Sequence, residues 1–183
     1  EGNALWLDIN KTSSYDLYQY LINTEDSMCE SYLKIFTFLN PEEIMELMNK
    51  HNENPHLRLA QKTLAKEIIT DLHGKEEYEK AEKISQVLFS GKVNELTSNE
   101  IEIAFKGFPV YNINERLNIV DILVKYEICS SKREAREFIT TGSISINGNK
   151  ITELDYIIDN NTTIDSKYVV IRKGKKKYFI LKY

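Results

Sequence analysis

The sequence predicts an α+β chain: a helical bundle over residues 1–108, a linker at 109–115, and a small domain over 116–183 with two helices packed on a short, mostly antiparallel sheet. Three observations predict it. Apolar residues recur at helical spacing through the first 107 positions. The segment Ser130–Gly148 strings together a helix start, a basic helix, a glycine stop, a strand and a tight turn. Charge is also divided unevenly. Residues 1–107 carry 11 basic and 19 acidic side chains, and residues 108–183 carry 13 and 9, so a net −8 precedes a net +4.

In the first half, Ser13 with Asp16 marks a helix start, and Leu17, Tyr18, Leu21 and Ile22 make its apolar stripe. Cys29, Tyr32, Leu33 and Phe36 form a second stripe that continues to Leu39. Asn40-Pro41-Glu42-Glu43 supplies a cap, a proline at the first helical position and acids in the first turn, ahead of Ile44, Leu47 and Met48. Leu64, Ala65, Ile68, Ile69 and Leu72 define a long helix ending at Gly74. Ala81, Ile84, Ser85 and Leu88 define another, ending at Gly91. Thr97 with Glu100 reads as a capping box for a last short helix stopped by Gly107 and Pro109.

In the second half, Ile119, Leu123 and Tyr126 begin a helix. Ser131 caps the next one, whose Ala135, Phe138 and Ile139 face a core while Lys132, Arg133 and Arg136 lie on other faces. Gly142 sits where a helix end needs positive φ. Ser143–Ile146 alternates like a half-buried strand, and Asn147-Gly148 is a strong hairpin signal. Tyr168–Arg172 and Tyr178–Tyr183 read as strands. Between and flanking them, Arg172, Lys173, Lys175, Lys176 and Lys177 crowd five cations around one glycine. Folding alone gives no reason to gather like charges, whereas counterion release on binding RNA rewards them. With about four phosphate contacts the log–log salt slope would be roughly −3 to −4. The alternative is a solvated loop that aids solubility.

Other residue types bound the chemistry. No apolar run approaches the ~20 residues that span a bilayer, and the start Glu1-Gly-Asn has no secretory pattern; a cytoplasmic protein without membrane contact is expected. Cys29 and Cys129, the two cysteines, suggest buried thiols rather than a disulfide. His51, His56 and His73 lack metal-ligand spacing, and His73 before Gly74 is placed to meet a helix C-terminal dipole. Glu42-Glu43 and Glu76-Glu77 fit first-turn stabilisation. Tyr15, Tyr18, Tyr20 and Tyr32 offer either base-stacking platforms or core residues with a wet hydroxyl. No phosphate loop, nucleophile elbow or metal motif is present, so the chain alone is expected to have no catalytic residue, cofactor site or metal site.

The Ser130–Gly148 pattern resembles the RNA-binding module named after the fourth small-subunit ribosomal protein. Further segments are similar to tyrosyl-tRNA synthetases of bacteria: Ala4-Leu-Trp-Leu-Asp8, Thr12–Gln19, Tyr32–Leu39, His56–Ala65, His73-Gly74, Leu88-Phe-Ser-Gly91 and Arg172-Lys-Gly-Lys-Lys-Lys-Tyr178. The resemblance covers essentially the whole chain. It implies a C-terminal fragment, a helical anticodon-binding domain joined to the ribosomal-protein-like module, which grips the anticodon stem and long variable arm of tyrosine tRNA. It implies RNA contacts at Lys132, Arg133, Arg136, Arg172, Lys173, Lys175, Lys176 and Lys177. In that family an ATP-dependent class I catalytic domain activates tyrosine and forms the homodimer. Its two signature motifs are absent here, so ATP and tyrosine sites are expected outside the fragment, and the fragment is expected to be a monomer. A stand-alone ribosome-associated RNA-binding protein is the alternative; a helical domain with a protein partner is a third reading.

Overall fold

The computed structural model describes residues 5–175 and 177–183; residues 1–4 and Lys176 lie outside it. The chain is α+β and divides into two compact units, residues 1–86 and 87–183.

The first unit is helical. α1 (Ser14–Ile22) starts at Ser13, whose side chain accepts from the Asp16 amide. α2 (Asp26–Phe36) follows, and α3 (Pro41–Glu53) begins with a reciprocal capping box between Asn40 and Glu43. α4 (Leu59–His73) ends at Gly74 and is flanked by α1, α2 and α3. α5 (Lys75–Ser90) runs through the boundary between the units. Leu17, Leu33, Leu64 and Ile69 are fully or nearly fully buried and close one core. Tyr18 belongs to that core, tilted against Tyr78, while Tyr20 is exposed. Cys29 and Cys129 are free and buried, each in its own unit; burial pushes the Cys29 thiol up to about 11, with Asp26 adding to the shift.

His73, in the last turn of α4, also makes two side-chain hydrogen bonds. Its Nε2 donates to the Leu7 carbonyl at 2.8 Å, which leaves Nδ1 to accept from Ser14 Oγ at 2.9 Å. The ring thereby ties the N-terminal segment to the start of α1.

The second unit is built on a five-stranded sheet in the order β1-β7-β6-β3-β4. Its strands are β1 (Val110–Asn112), β3 (Ile144–Ile146), β4 (Asn149–Ile151), β6 (Tyr168–Lys173) and β7 (Lys177–Lys182). All pairings are antiparallel except β1 with β7. A separate pair joins β2 (Leu117–Asn118) to β5 (Ile157–Ile158). Two helices, α7 (Ile119–Lys125) and α8 (Lys132–Thr140), share a core with one sheet face through Ile122, Leu123, Ala135, Ile139, Ile144 and Ile171.

The sequence reading is revised in two places. Residues 109–115, expected as a linker, contain β1, which extends the sheet beside β7. Residues 87–108, expected with the helical bundle, lie with the second unit. They include α6 (Ser98–Ala104), with its Thr97–Glu100 capping box. Phe105 packs on Tyr178, ring centroids 5.1 Å apart, and Glu102 accepts from the Tyr168 hydroxyl at 2.7 Å. This segment covers the other sheet face. β3 is therefore buried on both faces rather than half-buried, and even Ser145 is enclosed.

Candidate nucleic-acid interface

The basic helix forms where the sequence places it. Ser131 accepts from the Glu134 amide at 3.2 Å and satisfies one orphan donor of the first turn. Ala135 and Ile139 enter the core, and this orientation leaves Lys132, Arg133 and Arg136 exposed. Lys132 pairs with Asp121 of α7 at 2.7 Å. Arg133 and Arg136 have no carboxylate partner among the described residues.

Just past α8 and its C-cap Thr141, Gly142 adopts φ +64°, and the chain turns into β3. There the β6–β7 hairpin meets it, since the Gly174 amide donates to the Ser143 carbonyl at 2.8 Å. Gly174 has φ +66°, so a glycine is favoured at this turn. Lys175 and Lys177 are exposed, again without a carboxylate partner among the described residues. Lys176, one of the expected contacts, lies outside the described residues.

Strand alternation separates the remaining two cations. Arg172 is paired across the ladder with Tyr178 and Ser145, on the face covered by residues 87–108. Its guanidinium lies 3.4 Å from Ser145 Oγ and beside Gly91. Lys173 points to the α7–α8 face. Its ammonium donates to the Ile128 carbonyl at 2.8 Å and to Glu134 Oε1 at 3.0 Å, and sits 4.3 Å from the Phe138 ring centre. The four described cations around Gly174 therefore do not form a single patch. Adjacent strand residues point to opposite faces, and here one face holds Arg172 while the other holds Lys173. Among the described residues, Arg133, Arg136, Lys175 and Lys177 are the expected contacts left open to solvent and without a carboxylate partner.

One cation was missed. Lys150 on β4 is exposed, and its side chain lies over Gly142: a Cβ added there would meet Lys150 Cδ at 2.8 Å. It thus stands beside the α8–β3 turn that receives the hairpin tip. The signal was available, because a two-residue Asn147-Gly148 turn pairs Ser145 with Lys150.

The helical unit carries a second feature. Asn23, Thr24, Asp26, His56, Arg58 and Gln61 line a polar recess of about 400 Å³. Gln61, 2% exposed, donates to Asp26 Oδ1 at 2.6 Å and to the Thr24 carbonyl at 3.1 Å. Its own carbonyl oxygen is buried without a hydrogen-bond partner among the described residues. Arg58 holds a left-handed backbone at φ 52° while its guanidinium caps the Ile22 carbonyl at 2.7 Å.

Comparison with known proteins covers both units. The family model for the tyrosine–tRNA ligase SYY-like C-terminal domain matches residues 100–181. That for class I tRNA synthetases (W and Y) matches residues 1–90. Tyrosine–tRNA ligase of Streptococcus thermophilus is 46% identical over 185 residues, covering 100% of this chain and 44% of the relative. The Streptococcus agalactiae protein of the same name is 44% identical with the same coverage. The chain thus spans less than half the length of these relatives. A solution structure of a tyrosyl-tRNA synthetase C-terminal domain aligns with 50% of this chain and 94% of its own, at 35% identity and a TM-score of 0.44.

Proposed function

Because the chain belongs to the tyrosine–tRNA ligase family, we propose that it is the tRNA-binding portion of an enzyme that attaches tyrosine to its cognate tRNA using ATP. Arg133 and Arg136 of α8, Lys175 and Lys177 of the hairpin tip, and Lys150 beside Gly142 form the docking face for the phosphate backbone. The observation that carries this reading is the hydrogen bond from Gly174 to Ser143, which brings the tip to the end of the basic helix. Cations that lack internal carboxylates are free to replace condensed counterions, the source of affinity for a folded polyanion. Such contacts position the RNA without reading its sequence. They suit an anticodon stem and a long variable arm.

Base recognition needs unsatisfied hydrogen-bonding groups in a recess that admits an unstacked base. The exposed polar side chains of Asn23, Asp26, His56 and Arg58 support the polar recess of the helical unit in that role. ATP and tyrosine are bound by parts of the enzyme outside this chain, and the same parts form its homodimer; the fragment itself is monomeric and works in the cytoplasm. Among the described residues no helix is long and apolar enough to cross a membrane. Similarity across the acidic helical half favours this reading over a stand-alone ribosome-associated factor.

The test is binding of a tyrosine tRNA transcript as a function of salt. Lys175→Gln and Lys177→Gln should each weaken binding and reduce the log–log slope by about 0.9. Unchanged affinity and slope in the double variant would exclude the docking face.

A further inference from the structure

We propose that Lys173 is a positioning residue and not a phosphate ligand: with Glu134 it ties the β6–β7 hairpin to the first turn of α8, fixing the spacing between the helix cations and the tip lysines. The inference rests on the RNA-docking reading above and refines which members of the basic stretch touch RNA.

The geometry sets Lys173 apart from its neighbours. Its side chain is 14% exposed, and two of its three donors are committed, at 2.8 Å to Ile128 O and 3.0 Å to Glu134 Oε1. Its ammonium also rests by the Phe138 ring, and Phe138 belongs to α8. The other oxygen of Glu134 is engaged too, accepting from the Ser130 amide and hydroxyl at 2.6 Å each. One carboxylate thus bridges the residue before the α8 cap and the last residue of β6. If Lys173 turned outward to a phosphate, Glu134 Oε1 would lose its counter-charge and face the incoming polyanion. Ile128 O would lose its donor as well. Lys175 and Lys177 bear no such ties among the described residues, so they can reach RNA at no internal loss.

The two roles give opposite results for Glu134. An acid that merely stands near a phosphate-binding lysine repels RNA, and its neutralisation tightens binding. An acid that positions the hairpin weakens binding when neutralised, even though a negative charge has gone. The experiment measures tyrosine tRNA transcript binding by the full chain over a salt series, with Lys175→Gln as the reference phosphate variant.

Glu134→Gln and Lys173→Met are each expected to weaken binding about three- to tenfold while leaving the salt slope unchanged. The double variant should be no weaker than the worse single one, because both break the same tie. A slope reduced by about 0.9 in Lys173→Met, or tighter binding by Glu134→Gln, overturns the proposal. If Lys173→Met fails to fold, Glu134→Gln decides alone by the direction of its change. Should Lys175→Gln also leave affinity and slope untouched, the docking reading itself has failed, a result distinct from failure of the tie.

Discussion

Three donors converge on the Glu134 carboxylate, and their effect on its titration is large. The Ser130 hydroxyl, then the Lys173 ammonium and the Ser130 amide, hold it well below the ordinary carboxylate range, at about 2. Folding therefore gains stability from this group in full above the ordinary glutamate value of about 4.3. That gain drains away as pH falls from there through about 2. In Lys173→Met the carboxyl should titrate higher yet remain below the ordinary value, since the Ser130 donors persist; carbon-detected NMR of Glu134 reads this directly. An ordinary titration in the wild-type chain would mean that the tie is absent in solution. At this scale the sequence showed that the cations are crowded but not where each one points. The register of β6 decides that, sending Arg172 toward Gly91 and Lys173 toward α8. A period-two reading of Tyr168–Lys173 separates the two, whereas the partners that occupy them come from residues 81 and 39 positions away.

Elements with chemical punctuation were legible. Ser13, Asn40, Thr97 and Ser131 all cap the helices they were assigned, because a cap is a local hydrogen bond between near neighbours. The Asn147-Gly148 hairpin is present with both residues at positive φ, 50° and 87°. Strands of two or three residues, such as β1, β2 and β5, carry too little periodicity to be recognised and exist because a partner strand pairs with them. The hairpin also has a tertiary duty invisible in its own sequence. A Cβ at Gly148 would lie 2.3 Å from the Gly91 carbonyl oxygen, so the turn is pressed onto the segment that covers the far sheet face. Gly148→Ala should cost about 2–4 kcal/mol, combining left-handed strain with overpacking. Gly174→Ala has positive φ but nothing within 4 Å of the added carbon, and should cost about 1 kcal/mol. Chemical denaturation of the two variants checks the difference; equal losses would mean that the Gly91 contact does not constrain the turn.

Each of the two units closes a core of its own, and charge divides with them: net −7 over residues 1–86 and +3 over 87–183. Residues 87–183 expressed alone should therefore melt cooperatively and bind tRNA with the salt slope of the full chain; a shallower slope would place phosphate contacts in the helical unit. The change of charge was legible from composition, and the placement of residues 87–108 was not. Their helical pattern matches the bundle before them, while Phe105 and Glu102 act on Tyr178 and Tyr168, some 70 residues later. A last consequence follows from strand order. β6 and β7 are both interior strands, with β3 on one side and β1 on the other, and Val110 pairs with Ile180. Contacts so distant along the chain close slowly during folding, and amides between interior strands exchange with solvent only when the sheet opens as a whole. Lys173 and Lys177 thus end strands whose amides are expected to exchange slowest in the unit. If the proposed docking face binds RNA, these strands would have little mobility to surrender on association.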